Sequence, residues 1–140
     1  MASTAASDTI TETELNEILE FLNMQINEIK CIEKELEENI SRRRDMKALT
    51  IEQLSDKEVE VINEEKARLL STLTIVTTYV NGLIEKFKLL PVNILNALKL
   101  FYDKVLGIIN KFINLFQIEQ ITLTISVQPS LQIVFKPKQP

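Results

Sequence analysis

Only two glycines and four prolines interrupt 140 residues, and this shortage of breakers constrains the fold more than any other feature. An all-β chain with many reversals needs turn residues at each of them. Long helices need few. The first half of the chain carries the matching pattern. Thr11 to Glu14 reads as a capping box, Thr-x-x-Glu, in which hydroxyl and carboxylate satisfy amides exposed at a helix start. Apolar residues then recur at Leu15, Ile18, Leu22, Ile29, Ile32 and Leu36, with Leu19, Ile26 and Ile40 widening the stripe. Spacings of three and four place them on one helical face. Acids gather at the start and Arg42, Arg43, Arg44 and Lys47 at the end, the order that complements the helix macrodipole. The pattern predicts a helix over 10–48.

Such a helix is about 60 Å long. A compact globule of this length has a radius of gyration of about 14 Å. The helix must therefore break, fold back as an elongated hairpin, or find partners outside the chain. Thr50-Ile-Glu-Gln53 and Ser55-Asp-Lys-Glu58 are competing capping signals for a second helix. Its face runs through Ile62, Leu69, Leu73, Val76, Val80, Leu83 and Phe87. Thr72 to Val80 is rich in β-branched residues and resembles a strand in composition, but the three-four spacing favours helix. Pro91 ends this helix near Leu89 and suits the first turn of a third.

The third helix carries two apolar rows. Leu95, Leu98, Tyr102, Val105, Ile109, Phe112 and Phe116 form one; Ile94, Phe101, Ile108 and Leu115 form the other. A face that wide must be covered on most sides. After it the period falls to two. Ile121, Leu123, Ile125 and Val127 alternate with Thr122, Thr124 and Ser126; Gln128-Pro129-Ser130 is a turn; Leu131, Ile133 and Phe135 alternate again. This predicts a β-hairpin over about 120–136. An isolated hairpin is marginal in water, so it needs a helix beneath it or strands from other copies beside it.

The expected fold is mainly α: a long antiparallel helical hairpin, a third apolar helix and a C-terminal β-hairpin. Residues 1–9 are expected to be a flexible arm, 10–90 an acidic, coiled-coil-like hairpin, and 91–140 the oligomerisation region.

Charge divides the chain. Residues 1–68 hold 17 acids and 9 bases, a net of −8; residues 69–140 hold 3 acids and 7 bases, a net of +4. Such asymmetry points to surface interactions rather than to fold. The start lacks a signal-peptide pattern and no uninterrupted apolar run is long enough for a span, so the expected location is the cytoplasm or a virion. The lone Cys31 cannot form an internal disulfide. Its neighbours Glu33 and Glu35 disfavour a reactive thiolate, which leaves a plain packing or flanking position.

Most site chemistry lacks its residues. The chain has no histidine, the usual general base and metal ligand. Neither Gly82 nor Gly107 lies in a phosphate-binding pattern, and one cysteine cannot build a thiolate zinc site. Glu33 with Glu37, and Glu60 with Glu64, are spaced to meet on helix faces. A solvated polar face explains them better than an acid–base pair, which needs environments that separate the two pKa values. Arg42 to Arg44 with Lys47 has the charge for phosphate contacts, but the acidic half around it argues against nucleic acid. No catalytic residue, cofactor or metal is expected.

The function expected from these patterns is a non-enzymatic structural or adaptor subunit that self-assembles, in the manner of a virion or phage-tail-like component. Its oligomer interface is placed on Leu98, Tyr102, Val105, Ile109, Phe112 and Phe116 and on the strand residues Ile121, Leu123, Ile125, Leu131, Ile133 and Phe135. Partners are further copies and other protein subunits. The main rival is a membrane-surface or pore-forming protein using residues 69–116, where Lys86, Lys88, Lys99, Lys104 and Lys111 flank the apolar face. A small helical regulatory or immunity-type binder that masks its partner with the acidic helices is a third reading.

Overall fold

The computed structural model describes residues 9–40, 49–124 and 130–136. In chain order these form α1 (Glu12–Ile40), a 3-10 turn (Ile51–Gln53), α2 (Asp56–Phe87), α3 (Val92–Lys111), the single turn α4 (Ile113–Phe116), β1 (Ile118–Thr124) and β2 (Ser130–Phe135). The fold is mainly α: a long antiparallel helical hairpin, a third apolar helix and a C-terminal β-hairpin. The arm expected over 1–9, all but Thr9, and the basic run Arg42 to Arg44 with Lys47 lie outside the described residues.

The capping signals act where the sequence places them. The Thr11 amide donates to Glu14 Oε1 at 3.0 Å and the Glu14 amide to Thr11 Oγ1 at 3.1 Å. These bonds with Thr11, helped by the Lys86 ammonium, hold the Glu14 carboxyl below its ordinary pKa. The two competing signals before α2 are both used. Thr50 and Gln53 close the 3-10 turn, the Thr50 amide donating to Gln53 Oε1 at 2.8 Å. Ser55 and Glu58 then open α2, with reciprocal bonds of 2.9 and 3.2 Å.

α1 lies between α2 and α3 and contributes Ile18, Leu22, Ile26, Ile29, Ile32, Leu36 and Ile40 to the core. Each such side chain contributes about 1.5–3 kcal/mol when fully withdrawn from water. α2 runs back along α1: Lys86 near its end reaches Glu14 at 3.5 Å, and Arg68 in its middle reaches Glu28 at 2.9 Å. The rings of Phe21 and Tyr79 meet across the same seam, 4.0 Å between centroids. The β-branched stretch of α2 stays helical because Thr72, Leu73, Val76 and Val80 keep the buried face, and the Thr72 hydroxyl donates to the Arg68 carbonyl.

The corner between α2 and α3 is tight. Lys88 adopts φ 69° and ψ −57°, and the Leu89 amide donates to the Phe87 carbonyl at 2.7 Å. That is a γ-turn of the strained, positive-φ kind. α2 stops at Phe87, two residues before the end near Leu89 that Pro91 alone predicts, and Pro91 takes the N-cap position of α3 without a side-chain cap. α3 then runs in the same direction as α1, since Lys111 at its end meets Glu33 and Glu37 near the end of α1.

The third helix is not continuous to Phe116. Phe112, at φ −114° and ψ 36°, breaks the helix; α4 follows, and Gln117 in the left-handed region turns the chain into β1. β1 and β2 pair antiparallel with Ile121 opposite Ile133 and Leu123 opposite Leu131; a bulge at Glu119 shifts the register ahead of the Ile118–Phe135 pair. Ile125 and Val127 lie outside the described residues.

Candidate interaction surface

The acids that looked most like a catalytic pair serve as ties between helices. Lys111 forms ion pairs with both Glu33 and Glu37, joining α3 to α1. On the other side Arg68 donates to Glu28 at 2.9 Å and to Glu65 at 3.0 Å, joining α2 to α1. Glu65 is buried, and burial raises its carboxyl pKa against the opposing pull of the Arg68 guanidinium. Glu60 and Glu64 are exposed. Among the described residues no cluster of three or more acidic or thiol groups has the geometry to hold a metal ion. Cys31 is exposed on α1.

The expected oligomer interface divides into two parts. Leu98, Tyr102, Val105, Ile109, Phe112 and Phe116 are all buried inside a single copy, under α1 and the α4 region. The width of the apolar face is therefore met by the chain's own helices, and these six side chains offer nothing to a second copy. Within 69–116 the apolar side chains left exposed include Leu89, Val92, Leu100 and Ile75. No described helix is long and apolar enough to cross a membrane. Burial raises the Tyr102 phenol pKa, as expected for a ring inside the core.

The strand residues differ. By their register Ile118, Ile121, Leu123, Leu131, Ile133 and Phe135 share one face of the sheet, and Ile118, Leu131, Ile133 and Phe135 of that face pack on the helical core. β2 rests on that support. Leu131 is 5% exposed, the Phe135 ring stands edge-on to Phe116 at 6.5 Å, and the Lys66 ammonium lies 4.6 Å from the centre of the Phe135 ring. β1 overhangs. Ile121 and Leu123, cross-strand partners of Ile133 and Leu131, are each 39% exposed. Beneath β2 an open cleft of about 370 Å³ runs along α2, where Leu70, Thr74, Thr77 and Thr78 face Ser130 to Ile133.

No family model, curated protein or solved structure matches the chain.

The site is thus an apolar ledge, Ile121 and Leu123, beside a threonine-lined cleft. The contribution of α2 to it was not among the expected site residues. A signal for it exists: Leu70, Thr74, Thr77 and Thr78 recur at three-four spacing beside the core stripe, a second, weaker face on the same helix.

Proposed function

We propose that the chain is a non-enzymatic structural or adaptor subunit that assembles with further copies of itself through the C-terminal hairpin, while the acidic pair α1–α2 meets other protein subunits. A component of a virion or phage-tail-like machine fits that design. The observation that carries the reading is the unequal cover of one continuous apolar sheet face: Leu131 is buried, and its partner Leu123 is not. Two strands are also too few for a stable sheet alone, and among the described residues no third strand pairs with either outer edge. Light scattering across a hundredfold range of concentration tests it. The expected result is a particle of two or more copies, each of 16.1 kDa. A monodisperse monomer throughout the range overturns the reading and favours the regulatory binder.

A further inference from the structure

We infer that the partner on the hairpin is a second copy of this chain, docked with β1 antiparallel to β1 about a two-fold axis at Thr122, so that two hairpins form one four-stranded sheet. The inference rests on the self-assembly reading above and specifies its geometry. Three observations support it.

The first is the edge itself. Exposed edges are normally defended by Lys, Pro, an inward charge or a bulge. Gln120-Ile-Thr-Leu-Thr124 on β1 carries none of these, and the one charge nearby, Glu119, falls in the bulge outside the run.

The second is self-complementarity. Pairing about Thr122 sets Ile121 of each copy against Leu123 of the other, Gln120 against Thr124, and Thr122 against Thr122. Directly opposed residues share a face, so the apolar row Leu131–Leu123 continues into the Ile121–Ile133 row of the second copy. No like charges meet. Centring the axis on Ile121 instead opposes Leu123 to the charged Glu119.

The third is clearance. α2 lies along β2, where Leu70, Thr74, Thr77 and Thr78 line the cleft with Ser130 to Ile133. The two β2 strands of the joined sheet stand three strand spacings apart, about 14 Å. A helix is about 10–12 Å across, so two α2 helices, one along each β2, fit side by side beneath the joined sheet.

The test uses the full chain with Cys31→Ser, which removes the exposed thiol and is expected to leave the particle mass unchanged. Thr122→Cys in that background places two thiols opposite each other across the axis, with Cα atoms about 4.5–5.5 Å apart, inside the disulfide range. Gln132→Cys, opposite Thr122 on β2, is the control. With oxidised glutathione as oxidant, Thr122→Cys is expected to form a covalent dimer at least tenfold faster than Gln132→Cys. Leu123→Lys is expected to reduce the particle to a smaller mass with unchanged helical circular dichroism. Equal cross-linking rates, a faster Gln132→Cys, or a Leu123→Lys protein of parental mass each overturn the β1–β1 pairing while leaving self-assembly standing. A parent chain that is monomeric at every concentration overturns both.

Discussion

Arg68 sits where burial and charge oppose each other. It satisfies Glu28 on the rim and Glu65 beneath it, yet burial still leaves the Glu65 carboxyl pKa raised. A raised folded-state pKa means that the folded chain binds the proton more tightly than the unfolded chain. Stability from this group therefore falls as pH rises through the window above the ordinary carboxylate value, and the cost of the buried charge is complete above the folded pKa. Glu65→Gln keeps a hydrogen-bonding side chain and removes that titration. Its stability relative to the parent is expected to improve from pH 4 to pH 7, as read by urea unfolding at several pH values; a difference that is flat or falls with pH contradicts the assignment. Glu14 has the opposite sign. Its lowered pKa supplies stability above the ordinary value, lost as pH falls through the folded pKa, so the comparison must be made against the parent and not on the variant alone. Thr11 and Ser55 show a simpler local logic: each cap does in the fold what the four-residue motif announces, because capping is decided within one turn.

Among the elements, α3 is the keystone of the core and the hairpin is the part left incomplete. Ile109 is buried under α1. Ile109→Asp places a charge in a dry site, a change on the order of 4 kcal/mol or more, against a total stability of about 5–15 kcal/mol for a domain. Loss of cooperative thermal unfolding in the single chain is the expected outcome; a monomer that still melts sharply, with only its oligomeric mass changed, restores Ile109 to an intermolecular interface. In the hairpin, Leu131→Ala is expected to cost about 2–3 kcal/mol in denaturant titrations against the parent chain. The periods of α1, α2, α3 and the hairpin are legible in the sequence because each repeats over several turns or strand pairs. The break at Phe112 is not: no Gly or Pro marks it, and the rows on either side remain in step with one helix. Nor does the sequence say what covers α3. Periodicity defines a face, while the element that meets it depends on how the γ-turn at Lys88 folds α3 back alongside α1. The same limit hid the difference between Leu123 and Leu131, which alternate identically and are distinguished only by the position of β2 over α2.

At the scale of the molecule, the acidic and basic parts of the chain are brought together rather than held apart. Lys111 and Lys86, from the half with net charge +4, bind Glu37, Glu33 and Glu14 from the half with net charge −8. Lys99 and Lys104 remain on the outer face of α3. Replacing Lys99, Lys104 and Lys111 with Gln is expected to leave particle mass unchanged and lower stability by about 0–1 kcal/mol per partly exposed pair lost. Sedimentation with anionic vesicles at two salt concentrations is expected to show no binding by parent or variant. A parent that binds, and a variant that binds about a hundredfold more weakly, as loss of about 1 kcal/mol per lysine implies, revives the membrane reading. The two-stranded sheet has a last consequence, which concerns growth. Its edges are unlike: β1 carries no charge from Gln120 to Thr124, and β2 runs into Lys136. Like edge on like edge closes after two copies, because the join uses the same surface from both sides. Unlike edges leave one free at every step and extend into a ring or an endless fibre. If copies of this chain join through the sheet, the edge that a second copy meets first therefore decides whether growth stops at two or goes on to a ring or a fibre.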